Sequence, residues 1–296
     1  MPRVAANGIE LEYDLQGPQR GPVVVLIMGL GMQLVSWPQA LVDLLVARGL
    51  RVLRFDNRDA GLSTQLDAFP PPRLSQAFMR AAFNLPIAAP YQLEDMADDT
   101  AALLDALGIG RAHIVGASRG GMIAQTMAAR HRARVATLTS IMSTSGARGL
   151  PPPRIEAFLA LTRRPSKSAS LDRLVAHYVH LFQVIGSPGY PTPAAELRER
   201  MRGVLARAYR PDGTARQMLA ILASGSRSYE LTTVTAPTLV IHGKADPLIP
   251  PACGVDVANK VPGARLELID GMGHDLPAAL LPRLAESIAT HCLSTR

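Results

Sequence analysis

From Ile114 to Gly121 the chain reads IVGASRGG, a serine held among closely spaced glycines, directly after an apolar run and ahead of an amphipathic stretch, MIAQTMAARH. A serine on an ordinary loop needs no glycine two residues to either side. One carried on a strand-to-helix turn too tight for side chains does. Gly116-Ala117-Ser118-Arg119-Gly120 therefore predicts a sharp turn that exposes the Ser118 hydroxyl at a helix N-terminus, where free backbone N–H groups favour negative charge. Such a turn needs a buried strand before it and a helix packed on a sheet after it, so the rest of the chain must supply an α/β framework.

The remaining pattern supplies it. Apolar strand-like runs bounded by turn residues recur at Ile9–Leu15, Val23–Ile27, Arg51–Phe55, Ala112–Gly116, Val135–Met142, Pro237–Gly243 and Ala264–Ile269. Helical patterns separate most of them: between 93 and 107, Leu93, Met96, Ala97, Thr100, Leu103, Leu104 and Leu107 share one face, the spacing of a helix packed on a sheet. This alternation predicts an α/β fold with a mostly parallel central sheet and helices on both faces. Between Arg148 and Leu231 strands vanish and helices take over, with Ser170 and Thr192 placed as N-caps and Pro193 at a first helical position. The strand in APTLVIHG then resumes the α/β rhythm. The expected organisation is one α/β core, residues 1–147 and 232–296, carrying a helical cap insertion at 148–231. A chain of 296 residues is long enough for it.

Charge narrows the function classes. The formal net charge is +7, but the segment from Arg148 to Leu231 holds 13 Lys and Arg against 6 Asp and Glu, and the remainder is balanced at 18 to 18. The segment shows no regular aromatic and basic interleaving, so a solvated helical face is expected rather than a nucleic-acid site. The N-terminus lacks the apolar core of a secretory signal and no window is apolar enough to span a membrane, so a cytoplasmic protein is expected. Cys253 and Cys292 have no metal-ligand spacing and are too few for a disulfide framework. Neither is expected to be functional, and no cofactor or metal is implied.

A nucleophilic serine needs a base, and the base an orienting acid. Asp246 lies in IHGKADPLIP just after a strand ending at Gly243, and His274 in IDGMGHDLP after the next strand. Among the seven histidines, His274 alone sits in a glycine-rich loop free to reach a serine; the others fall on strands, helices or near the terminus. Asp275 competes with Asp246, but a neighbour in sequence cannot easily curl back onto the imidazole, so it is expected to be surface or loop structure. Charge developing on a substrate oxygen needs two donors. The backbone N–H of Arg119 is one, and the loop in VVVLIMGLGM, where Gly29 permits a sharp turn, offers Leu30 as the other. Gly29-Leu30-Gly31 with Asp56 also opens a dinucleotide-binding reading. It fails because Leu34 occupies the third glycine's place, Pro38 interrupts the helix start, and Ser118, Asp246 and His274 go unexplained.

The chain resembles an α/β-hydrolase over essentially its full length, and IMGLGMQLVSWP, FDNRDAGLST and GASRGGMIAQ together resemble the aclacinomycin methylesterase-like carboxylic ester hydrolases. That resemblance implies a cofactor-free esterase acting on a small-molecule ester, with Ser118 as nucleophile, Asp246 and His274 as its partners, and the backbone of Leu30 and Arg119 as oxyanion donors. Perhydrolases and C–C bond hydrolases use the same triad, and a receptor of this fold would bind a small molecule with negligible turnover. Met28-Gly29 stands where many relatives have His-Gly, which fits the methylesterase-like subset. Asp56, Arg58 and Asp59 match a common loop motif and are expected to brace the turn. Arg119 departs from the pattern, in which the residue after the nucleophile is often apolar. Its side chain is expected to form an ion pair with a nearby carboxylate, solvent and an anionic substrate being the alternatives. Neither the ester nor the oligomeric state is written in the sequence.

Overall fold

A computed structural model describes residues 1–70, 73–163, 165–166 and 168–294. Two strands at the N-terminus, β1 (Arg3–Ala6) and β2 (Ile9–Gln16), form a hairpin. The sheet proper follows as β3 (Val23–Ile27), α1 (Gln39–Val46), β4 (Arg51–Phe55), α2 (Leu74–Ala82), α3 (Leu93–Ala106), β5 (Ala112–Ala117), α4 (Arg119–Arg130) and β6 (Val135–Ile141). Five helices intervene: α5 (Ile155–Thr162), α6 (Leu171–Ile185), α7 (Ala194–Arg207), α8 (Pro211–Ser224) and α9 (Ser228–Thr232). Then β7 (Thr238–Gly243), α10 (Pro251–Lys260), β8 (Arg265–Ile269) and α11 (Leu281–Leu293) complete the chain. The strand order is β1-β2-β4-β3-β5-β6-β7-β8, parallel from β4 to β8 and antiparallel at the β1–β2 and β2–β4 pairings.

Both faces of the sheet are covered, which the near-continuous apolar strands require. On β5, Ile114 points into a core shared with Leu93, Met96 and Leu103 of α3 and Ile123 and Met127 of α4. Val115, its neighbour, points into the opposite core with Leu41 and Leu45 of α1 and Leu284 and Ile288 of α11. Burying each such side chain contributes about 1.5–3 kcal/mol, so a one-residue slip of β5 would exchange its two faces and forfeit several of these terms at once.

Strand order reverses at β3, whose neighbours are β4 on one side and β5 on the other. In an open parallel sheet the crevice for a ligand lies outside the carboxyl ends of the strands at such a point. Ile27 pairs with Gly116, so the loop after β3 and the turn after β5 leave the sheet side by side at that crevice.

The helices α5–α9 stand between β6 and β7 with small cores of their own, such as Leu174, Val179, Met201 and Val204 between α6 and α7. Ser170 caps α6, its side chain accepting from the Arg173 N–H. Thr192 does not cap α7: the helix starts at Ala194 with Pro193 as its cap residue and no side-chain bond, one residue later than the sequence pattern suggested. Most of the arginines described here are exposed, as a solvated face requires, but several turn inward. Arg207 pairs with Asp56 at 2.7 Å and Glu12 at 3.3 Å, Arg216 bonds both carboxylate oxygens of Asp59 at 2.8 and 2.6 Å, and Arg227 is buried against the carbonyls of Thr144 and Gly225. The helical segment is therefore bolted to the loop after β4 by buried charge. Asp56 and Asp59 brace that loop as expected, while Arg58 grips Asp99 of α3 with two bonds of 2.6 Å. Arg164 and Lys167 lie outside the described residues. Among the described residues no helix is long and apolar enough to cross a membrane.

Candidate active site

Ser118 follows β5 with φ 57 and ψ −122, a positive-φ conformation that residues other than glycine rarely adopt. Its surroundings hold it there. The Ser118 N–H donates to Ile141 O at 2.9 Å, and its carbonyl accepts from the Gly121 N–H at 2.9 Å and the Ser143 hydroxyl at 2.8 Å. The glycines are steric requirements: a Cβ on Gly116 would lie 2.1 Å from Gly120 O, and one on Gly120 would lie 1.9 Å from Ile27 O. Both obstacles are backbone, so neither can swing aside.

Asp246 follows β7 and His274 follows β8. The Asp246 Oδ1 accepts the N–H groups of Leu248 and Ile249 at 2.9 and 2.8 Å. Its Oδ2 lies 2.7 Å from His274 Nδ1 and 3.5 Å from His242 Nε2. Burial alone would raise the Asp246 pKa, but the His274 charge and the hydrogen bonds from His242, His274 and Ile249 outweigh it and hold the carboxyl well below the usual range. An ionised carboxylate can only accept, so the His274 proton sits on Nδ1 and leaves the Nε2 lone pair for the Ser118 hydroxyl, 3.0 Å away. The two loops cross closely: a Cβ on Gly243 would lie 2.2 Å from Met272 O, and the His274 N–H donates to Ile185 O at the end of α6 at 2.7 Å.

Three features here were not read from the sequence. His242 stands against Asp246, its Nε2 2.8 Å from Ile249 O. Asp275 lies in a loop as expected but is not at the surface: it is 7% exposed and accepts from the Ser187 hydroxyl, which in turn accepts the Gly273 N–H at 2.8 Å. Burial raises its pKa despite the Ser187 bond and the Arg200 charge. The sequence signal for Asp275 was only its adjacency to His274. The third is the course of the Arg119 side chain. It is 0% exposed and forms no ion pair among the described residues, so the expected carboxylate partner is absent there. Instead it turns inward beneath the loop after β3, with Nη2 3.1 Å from Gly29 O and 3.4 Å from Met28 O, and Nη1 3.1 Å from Met96 Sδ.

That loop lies against the serine. A Cβ on Gly29 would sit 3.3 Å from Ser118 Cβ and 3.7 Å from its Oγ. Of the next three N–H groups, Gly31 donates to Gln217 Oε1 at 2.9 Å and Met32 to Gly29 O at 3.3 Å, while Leu30 has no partner among the described residues. The Arg119 N–H, first in α4, has no intrahelical acceptor. Two free donors thus flank Ser118.

The hydroxyl opens into a cavity of about 390 Å³, within the range of small-molecule sites. Its lining is dominated by apolar side chains: Met28, Leu30, Met122 and Met142 from the sheet side, Phe158, Leu181, Phe182, Met201 and Met218 from α5–α8, with Phe78 of α2 and Cys253 of α10. Arg200 of α7 brings a guanidinium, stacked over the Phe182 ring at 5.4 Å.

The alpha/beta hydrolase fold family matches residues 22–277. Rhodomycin D methylesterase DnrP of Streptomyces peucetius is 31% identical to this chain over 294 residues, covering 94% of the chain and 92% of that enzyme. Rhodomycin D methylesterase DauP of Streptomyces sp. (strain C5) is 30% identical over 287 residues, covering 90% of each. A solved structure of the meta-cleavage product hydrolase of Pseudomonas fluorescens IP01 superposes with a TM-score of 0.77 at 19% identity, covering 100% of this chain and 98% of the other, a likeness of fold alone.

Proposed function

The chain belongs to the alpha/beta hydrolase fold family, and we propose that it is a carboxylic ester hydrolase working through a Ser118–His274–Asp246 triad and an acyl-enzyme. The observation that carries the reading is the unbroken line from Asp246 Oδ2 to His274 Nδ1 at 2.7 Å and from His274 Nε2 to Ser118 Oγ at 3.0 Å, ending on a strained serine in an apolar cavity. The similarity to two methylesterases supports the bond class.

In this reading residues 148–231 form the cap over a core of 1–147 and 232–296. The Ser118 oxygen attacks the ester carbonyl carbon while its proton passes to His274 Nε2. Negative charge gathers on the carbonyl oxygen and is met by the N–H groups of Leu30 and Arg119. The tetrahedral intermediate collapses, the bond to the alcohol oxygen breaks, and His274 returns the proton to that oxygen as the alcohol leaves. Water then gives its proton to His274 and attacks the acyl carbon. Collapse frees the acid and restores the Ser118 hydroxyl with that proton. Asp246 remains ionised throughout and balances the imidazolium at each stage.

A fluorophosphonate probe with peptide mapping, joined to a panel of esters of graded acyl length, tests this. Labelling at Ser118 with ester turnover is expected, and Ser118→Ala should remove on the order of a millionfold of kcat, because triad members act as a unit. Near-normal turnover by that variant would overturn the assignment. Labelling without turnover of any ester would favour a C–C bond hydrolase, a perhydrolase or a receptor.

A further inference from the structure

Arg119 is an expensive residue to place where it is. Its guanidinium is fully buried, its Nε has no partner, and no carboxylate pairs with it among the described residues. It also stands in the first turn of α4, where a cation opposes the helix dipole. Burial pulls its pKa down to about 10, partly offset by the nearby Asp59 carboxylate, so it remains a cation at neutral pH. A charge held against these penalties calls for a return elsewhere.

Its shortest bond to backbone identifies the return. The Gly29 carbonyl, which Arg119 Nη2 reaches at 3.1 Å, belongs to the same peptide unit as the Leu30 N–H. A trans peptide is planar, with C=O and N–H pointing in opposite directions, so fixing one fixes the other. The guanidinium lies behind the loop, beside the buried Met96, while Gly29 faces Ser118 and Leu30 lines the cavity. Gly29 O also accepts the Met32 N–H at 3.3 Å, and Met28 O accepts from Arg119 and from Asn57 Nδ2, each at 3.4 Å. We propose that the Arg119 side chain is a positioning residue for the oxyanion site: by drawing the Gly29 carbonyl backwards it aims the Leu30 N–H at the developing oxyanion and polarises that peptide so that it donates more strongly. One residue then serves both donors, giving its own N–H as the first and orienting the second through its side chain. The charge-assisted bond does this better than a neutral one, because hydrogen bonds in series strengthen one another where the dielectric is low.

The inference rests on the esterase reading, and its test separates the two. Arg119→Met and Arg119→Lys keep the backbone N–H. For each, three quantities are measured: kcat/KM for a p-nitrophenyl ester, the inhibition constant of a trifluoromethyl ketone whose Ser118 adduct carries an oxyanion, and the dissociation constant of the same ester in a Ser118→Ala background. Arg119→Met is expected to lower kcat/KM about ten- to hundredfold and to weaken the ketone by a similar factor, since a misaimed donor loses part of what a deleted one does. Ester binding without the nucleophile should change less than about twofold, and Arg119→Lys should fall between. Unchanged ketone affinity in the Met variant overturns the inference. So does an equal loss in ketone and ground-state ester binding, which would mean a general slackening of the pocket. Where the Met variant does not fold, the Lys variant decides alone: weaker ketone binding with intact ester binding supports the proposal, and unchanged ketone binding overturns it. A wild-type protein that neither turns over esters nor labels at Ser118 would instead remove the esterase reading, and this inference with it.

Discussion

Replacing Arg216 with Met would strand a buried charge between the helical segment and the sheet. Asp59 is 0% exposed and accepts two bonds from Arg216, at 2.8 and 2.6 Å, besides the Tyr91 hydroxyl at 2.8 Å and the Leu66 N–H at 2.8 Å. Charge-assisted hydrogen bonds contribute about 1.5–3 kcal/mol each, which puts the two lost bonds at about 3–6 kcal/mol. Breaking one side of a buried pair costs about 3–5 kcal/mol in general, and the two remaining donors keep the figure at the lower end. The further contact from Arg216 to Asp67 adds little, because that carboxylate is 75% exposed. We therefore expect a loss of about 3–4 kcal/mol, read as a fall in the urea midpoint at constant m-value. Asp59→Asn combined with Arg216→Met removes the stranded charge and suits the backbone, whose φ of 64 asparagine tolerates. The double variant should be more stable than Arg216→Met alone. A loss below about 1 kcal/mol in the single variant, or a double variant less stable than the single, would refute the argument that this pair fastens α8 to the loop after β4.

Three further outcomes can be checked. Asp246→Asn should lower kcat about ten-thousandfold by offering His274 Nδ1 the wrong partner, with the fold retained. The Asp246 pKa is depressed in the folded chain, so its ionised carboxyl adds stability above the ordinary 3.8 that is lost as pH falls through the folded value; the variant should flatten the acid limb of the stability curve. His113 is drawn down to about 4 by burial and by the charges of His291 and Arg111. The unfolded chain therefore takes up a proton first, and stability present above about 6.5 drains as pH falls towards 4, by about 2 kcal/mol between pH 7 and 5. His113→Val should remove that slope in unfolding titrations, and an unchanged slope would count against it. Gly120→Ala should destabilise by about 3 kcal/mol or more, its Cβ meeting Ile27 O at 1.9 Å, whereas Gly203→Ala on α7, with nothing within 4 Å, should stabilise by about 0.5–1 kcal/mol. Paired thermal melts separate the two.

Local chemistry made much of this molecule legible in its sequence. The alternation of apolar runs with helical periods follows from backbone geometry, and it located seven of the strands to within a residue or two, from β2 (Ile9–Gln16) to β8 (Arg265–Ile269). The run from Arg3 to Ala6 escaped notice because four residues carry too little period to stand out. The turn at Ser118 was readable because only glycines permit so close an approach of Gly116 to Gly120 and of Gly120 to Ile27. Asp246 and His274 were singled out by turn residues after strands, which are also local signals.

Distances between parts of the chain far apart in sequence belong to tertiary structure. The 3.0 Å from His274 to Ser118 spans 156 residues, and no spacing in the sequence sets it. An arginine reads as a surface residue until a specific buried acceptor removes it from water. For Arg207 and Arg216 the acceptors are Asp56 and Asp59, more than a hundred residues away, and for Arg119 they are the carbonyls of Met28 and Gly29. Desolvating a guanidinium is favourable only where such partners converge, and convergence is decided by which faces of the packed elements meet. The sequence therefore determined where a serine could be held exposed, and the tertiary structure alone decided what stands behind it.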